Sequence, residues 1–243
     1  MKISVCMATY NGELYVAEQI ISILSQLNPN DELIIVDDCS DDSTIEVINS
    51  FEDERINLIK NNKNIGVNKS FSKSILLSTG DYIFLSDQDD IWIKGRINMM
   101  LNHLVKSKVD LLTSNFKWID QFGNSTYVKF DGVSSFDSKN YYKNILDIFI
   151  GKTNYFGCAM LFTKSLVRYI APFPNFIESH DLWIAKAGNL YHSQVHYDDI
   201  TFYKRIHKTN ATSTTSNRKF IYKIFSRFIF ILSIFVLIQR KIK

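Results

Sequence analysis

Tyr82-Ile83-Phe84-Leu85-Ser86-Asp87-Gln88-Asp89-Asp90 runs from four apolar residues straight into three carboxylates. A short continuous apolar run after the turn signal Gly80-Asp81 has the pattern of a buried strand. The end of such a strand should open onto a cleft, because clustered acids cannot be left dry without partners. The same grammar recurs three times upstream. Ile3 to Ala8 is apolar and leads into Thr9-Tyr10-Asn11, Leu33-Ile34-Ile35-Val36 leads into Asp37-Asp38, and Ile56 to Ile59 leads into the loop Asn61 to Gly66. Helical spacing fills the gaps: Val16, Ile20, Ile23, Leu24 and Leu27 share one face until Pro29-Asn30-Asp31. Ser40 to Ser43 offers capping chemistry for a helix reaching Phe51, and Val67 to Leu77 predicts a third helix.

This β-α-β-α-β-α-β order predicts an α/β fold with a mostly parallel, Rossmann-like sheet flanked by helices. All four polar clusters follow strands, so they should gather at the carboxyl edge, where open α/β sheets bind ligands. The later sequence is less regular. Leu111 to Ser114 and Val195 to Tyr203 read as extended, Gln121 to Asn124 as a turn, and Glu178 to Leu190 as a helix. Ala211 to Asn217 reads as a polar linker.

With 243 residues, 46% of them hydrophobic, the chain can build one substantial core. The formal net charge is +3, but residues 218–243 carry seven cations (Arg218, Lys219, Lys223, Arg227, Arg240, Lys241, Lys243) and no acid. The other 21 basic residues face 25 acidic ones, which argues against nucleic acid as a partner. Phe228 to Ile238 is an apolar run of eleven residues, shorter than the roughly 20 that a span needs. With cations on both sides it predicts a helix lying on the inner leaflet of a membrane. Cys6, Cys39 and Cys158 are scattered, which fits buried thiols in a reducing cytoplasm, and no signal-peptide pattern precedes Thr9.

Asp87 and Asp89, two apart on an extended segment, would point the same way and offer a hard oxygen site suited to Mg²⁺ or Mn²⁺. Asp37-Asp38 and Asn11 could bond a base or ribose in the same pocket. There is no GxGxxG and no GxxxxGK[ST], so a metal would hold the phosphates of any nucleotide.

Four stretches together resemble the family 2 glycosyltransferases with the GT-A fold: Ser4 to Gly12, Ile34 to Asp41, Asn64-Ile65-Gly66, and Leu85 to Trp92. The last is similar to the bacterial rhamnosyltransferase-type branch. The resemblance implies a nucleotide-sugar-binding half (1–115), an acceptor-binding half (116–210) and a basic, hydrophobic tail (211–243). It implies that Thr9, Tyr10, Asn11, Asp37, Asp38, Asn64 and Gly66 line the donor site, with Asp87 near ribose and metal and Asp89 on the metal. Phe156-Gly157-Cys158-Ala159-Met160 resembles the family's small-residue stretch beside the donor sugar, placing Gly157 there. Ser179-His180-Asp181-Leu182-Trp183 resembles the segment bearing the catalytic base, which makes Asp181 that base. Tyr203 to Asn210 resembles a motif reaching the diphosphate or metal, through Arg205 and His207. The implied reaction is inverting transfer of a sugar, with rhamnose first among candidates, from a dTDP- or UDP-sugar to a hydroxyl of a glycan or lipid-linked acceptor. A catalytically silent sugar-nucleotide-binding partner is the competing reading. A nucleotidyltransferase is disfavoured, because residues 4–12 hold one glycine and no cation.

Overall fold

The computed structural model describes residues 1–129, 132–152, 155–207 and 220–242. One eight-stranded sheet runs in the order β3-β2-β1-β4-β7-β6-β8-β5. Its first four strands, β1 (Ile3–Thr9), β2 (Glu32–Asp37), β3 (Ile56–Lys60) and β4 (Tyr82–Ser86), are parallel. The predicted α/β fold is therefore present, and β1 lies inside it, paired to β2 on one side and β4 on the other. Registers Thr9↔Asp37 and Met7↔Ser86 bring three of the four polar strand ends to one edge. The helices between them are α1 (Val16–Leu24), α2 (Thr44–Asn49) and α3 (Val67–Leu77). The α1 helix stops at Leu24, short of Leu27, although Leu27 is still buried. The start of α2 is held from within the expected stretch by Asp42, whose Oδ1 accepts from Thr44 N–H (3.0 Å), while Ser43 makes no side-chain cap and the Ser40 hydroxyl bonds Asp37.

Beyond β4 the sheet becomes mixed. The two-residue β5 (Ile91–Trp92) and α4 (Arg96–Ser107) precede β6 (Leu111–Ile119), which extends well past the expected Ser114. The division at 115/116 falls within this strand, at a register irregularity against its neighbour β8 (Gln194–Arg205). Between β6 and β8 lie α5 (Tyr141–Ile150), β7 (Met160–Thr163), α6 (Lys164–Ile170) and α7 (His180–Leu190). The β7 strand runs antiparallel to both β4 and β6 and joins the two parts of the sheet. Apolar side chains pack on both faces of the sheet, which is why β1, β2 and β4 read as unbroken apolar runs. The chain's last element, α8 (Phe220–Ile242), is twice as long as the apolar run that announced it. Among the described residues, its segment Ile221–Ile242 is the one helix long and apolar enough to cross a membrane. The expected linker at 211–217 lies outside the described residues.

Candidate active site

The loops after the parallel strands are tied together by their own carboxylates. Asp37 is fully buried and accepts bonds from the hydroxyls of Thr9 (2.9 Å) and Ser40 (2.6 Å). Asp38 accepts from Asn61 Nδ2 and the backbone N–H of Ile65 (2.9 Å each) and from that of Gly66 (2.8 Å). Thr9, Asp37 and Asp38 thus fasten three loops, and Asp38 holds the start of α3, where Gly66 sits at φ +90°, a region other residues avoid. Tyr10, Asn11 and Asn64 are exposed at the same edge. Gln88, absent from the sequence expectations, clasps Tyr10 by two bonds, backbone N–H to Oε1 (2.9 Å) and Nε2 to carbonyl (3.0 Å). It thereby links the first and fourth loops.

The acidic cluster divides into two sets. Asp89 Oδ2 lies 2.7 Å from His207 Nε2, and both side chains are largely buried. Asp87 Oδ2 instead receives a bond from Lys204 Nζ at 2.8 Å, and Asp90 Oδ2 lies 3.7 Å from the same ammonium with no hydrogen bond of its own. Burial works against charge on Asp87, but Lys204 more than offsets it and holds the carboxyl below its usual range. For the enclosed Asp90, burial wins over Lys204, and Asp89 and Asp87 repel further charge, so its pKa is pushed up to about 7. Lys204, like Gln88, is absent from the sequence expectations, because nothing in Tyr203-Lys204-Arg205 shows which side chain turns inward.

Arg205 sits differently from a diphosphate contact. Its guanidinium is buried, bonded to Glu18 Oε2 (2.5 Å) and the carbonyls of Asp89 (3.0 Å), Asp120 and Gln121, and lies over the Tyr15 ring. These bonds brace the loop that carries Asp89.

Do these groups suit a divalent ion? The Asp89 carboxylate and His207 imidazole are adjoining oxygen and nitrogen donors, a set that Mn²⁺ or Mg²⁺ accepts. Asp87, Asp90 and Cys158 also bring ligand atoms within 4.8 Å of one another. That second set is less suited, because the Lys204 ammonium stands among it and burial pushes the Cys158 thiol well up.

Asp181 is the second residue of α7, and Ser179 caps that helix by accepting from Leu182 N–H at 3.4 Å. The Asp181 Oδ1 is buried 2.7 Å from His180 Nε2, without the angle of a hydrogen bond. The side chain is still 23% exposed, and that exposure lies outside Oδ1. Burial disfavours the His180 imidazolium, but Asp181 and then Asp87 outweigh it and raise the imidazole above its ordinary value. Asn68 of α3 holds this segment: its Oδ1 accepts from His180 N–H (2.9 Å), and the Phe71 ring stacks on His180 at 4.3 Å.

Gly157 joins the two acidic centres. A Cβ at this position would lie 2.5 Å from His180 Nε2 and 2.9 Å from Asp181 Oδ1. The next residue, Cys158, faces Asp87 and Asp90, and Arg96 pins its carbonyl at 2.6 Å. The 157–158 turn therefore has Asp181 on one side and Asp87 on the other.

The model of the family described as glycosyl transferase family 2 matches residues 4–170. The chain belongs to this family. Among curated relatives of this family 2 chain, it is 31% identical over 128 residues to the Escherichia coli UDP-Glc:alpha-D-GlcNAc-diphosphoundecaprenol beta-1,3-glucosyltransferase WfgD, covering 53% of this chain and 50% of that one. It is 38% identical over 116 residues to the dTDP-rhamnosyl transferase RfbG of Shigella flexneri, covering 45% and 40%. The chain spans about half the length of the curated relatives it matches. S. aureus TarS 1-349 in complex with UDP-GlcNAc superimposes with TM-score 0.70 at 17% identity, covering 97% of this chain and 73% of TarS. The Pyrobaculum calidifontis mannosyltransferase PcManGT, in complex with GDP-Man and Mn²⁺, gives TM-score 0.63 at 17% identity, covering 86% and 58%. At these identities the structural likeness shows a shared fold.

Proposed function

We propose that this family 2 chain is a metal-dependent, inverting glycosyltransferase of bacterial surface polysaccharide synthesis. It moves a sugar from a nucleoside-diphosphate donor to a hydroxyl of a glycan or lipid-linked acceptor. The observation that carries the reading is the placement of Asp181: one oxygen is buried against His180, the side chain is still 23% exposed, and Gly157 beside it leaves room that any side chain would fill.

In this reading Asp181 Oδ2 accepts the acceptor hydroxyl's proton as that oxygen attacks the anomeric carbon. His180 holds the carboxylate in place through Oδ1. Tyr10, Asn11, Asn64 and Gly66 meet the nucleoside, and Thr9, Asp37 and Asp38 hold the walls. Asp89 and His207, with Asp87 beside them, would hold Mg²⁺ or Mn²⁺. When bound, the ion supplies Lewis-acid stabilisation of the departing diphosphate. Arg205 positions the Asp89 loop from behind. The donor is a dTDP- or UDP-sugar. Rhamnose stands first because Asp87 to Trp92 resembles that branch and RfbG is a dTDP-rhamnosyl transferase by name. A lipid-linked acceptor agrees with the name of WfgD and places transfer at the inner face of the plasma membrane, with α8 as the attachment.

The test is a thermal-shift and turnover screen of nucleotide sugars with Mn²⁺, Mg²⁺ or EDTA. One donor should stabilise the chain and turn over only with metal, and Asp89→Asn should lose both effects. Nucleotide binding without turnover, across donors and lipid-linked acceptors, would establish the silent-partner reading instead.

A further inference from the structure

The last helix has two faces of unlike character. Ser226, Ile229, Ser233 and Leu237 are buried against the protein body. The Tyr191 hydroxyl donates to the Leu237 carbonyl (2.8 Å), Ser226 to Glu178 (2.5 Å), and Arg240 to the carbonyls of Tyr169, Ile170 and Pro172. On the opposite side, Ile224, Phe228, Ile231, Phe235, Ile238 and Ile242 recur at alternating steps of four and three, which keeps them in one row. All six are between 43% and 81% exposed. Such a row of large apolar side chains needs an occupant.

We infer that this outer row of α8 docks onto an anionic lipid surface, the helix lying in the interface with its inner face still on the protein. The inference deepens the peripheral attachment proposed above by naming the face, the lipid charge and the helix orientation. Charge decides the partner. Residues 218–243 carry cations toward both ends of the row, Lys223 and Arg227 near its start and Arg240 and Lys241 near its end, and no acid. A second copy of the helix would set like charges together in either direction, whereas anionic headgroups neutralise both ends at once. Contacts decide the orientation. A bilayer span would strip away the Tyr191, Glu178 and Arg240 bonds and draw Lys223 and Arg227 toward hydrocarbon. The inner face rests on α6 and α7, and α7 begins with His180-Asp181. An interfacial α8 therefore holds the proposed base at a fixed height above the lipid, within reach of an acceptor hydroxyl carried on a lipid.

The experiment is co-sedimentation of the full chain with vesicles of phosphatidylcholine alone or mixed with phosphatidylglycerol, without donor or acceptor. Binding should require phosphatidylglycerol, weaken with added salt and be reversed by alkaline carbonate. Phe228→Asp with Phe235→Asp should lower the bound fraction at least ~10-fold, with an unchanged circular-dichroism melt. Should that pair disturb folding, Lys223→Gln with Lys241→Gln, both exposed, should lower binding about 25-fold. Retained binding in a folded aspartate pair, resistance to carbonate, or a concentration-dependent dimer in place of vesicle binding would overturn the inference. Each readout is independent of sugar transfer, so a chain that binds vesicles but transfers nothing refutes the enzymatic reading alone, and the reverse result refutes this one alone.

Discussion

Along β1 to β4, each polar group sits at or just past the end of the strand that delivers it: Thr9 to Asn11 at β1, Asp37-Asp38 at β2, Asp87 to Asp90 after β4. Along β7, β6 and β8 the groups arrive from far away. Lys204 meets Asp87 across 117 residues of sequence, and His207 meets Asp89 across 118. The first region presents acceptors and backbone, and the second presents the cations and Asp181. The sheet side that carries carboxylates is thus incomplete without the side that neutralises them. Two kinds of acid result: Asp89 is paired with the His207 imidazole, while Asp87 and Asp90 share an internal ammonium.

The largest effect that separates the regions should come from Asp181→Asn. Turnover should fall ~10³-fold while the donor KM stays near that of the parent, because Asp181 stands across the Gly157 turn from the nucleoside loops. A donor KM that rises with turnover unchanged would move Asp181 into the donor region. Lys204→Met should come next, as loss of stability. It strands the buried Asp90 and leaves Asp87 without its partner, costing about 3 kcal/mol, discounted because Asp87 is one-third exposed. Urea unfolding reads this directly, and a neutral outcome would show that the two regions do not depend on each other's charge.

Lys186 of α7 tests the second region by pH. It is buried beneath α8, facing the Phe230 ring at 5.2 Å, and burial pulls its pKa down to about 8 against some help from Glu178. Below pH 8 the ammonium is charged in both folded and unfolded chains, so the folded state carries the whole cost of burying it. That cost is relieved as pH rises from about 8 toward the unfolded value near 10.4. Lys186→Met should therefore stabilise the chain at pH 7 by about 3 kcal/mol, and the gain should vanish by pH 10 to 10.5 in melts across that range. The smallest effect belongs to Gly157→Ala, at the boundary between the regions. Its methyl must displace His180 or Asp181, lowering turnover ~10-fold with little change in melting temperature. Full activity would mean that the base tolerates movement away from its present position.

Sequence legibility follows the same division. Strand ends in the parallel half were readable because a fully buried strand has one composition and its terminus another. Val67–Leu77 was likewise bounded correctly, by Gly66 before it and Ser78 after it. The α4, α5 and α6 helices went unread, as did the two-residue β5. The roles of Gln88, Asn68 and Lys204 were invisible because each depends on a partner more than 70 residues away. Arg205 and Lys204 are neighbours of like charge, and only packing told them apart: one braces a loop against Glu18, the other faces the acids.

The sequence by itself determined the order of strands and helices from β1 to β4, the edge at which the polar loops gather, and the family. Each of these is written in local composition, with a strand's apolar run and the residues after it lying side by side in the chain. Tertiary structure alone decided which carboxylates are neutralised, which oxygen of Asp181 is buried, and which face of α8 remains uncovered. These outcomes depend on burial and on charge pairing between distant segments, and both are properties of the folded chain as a whole.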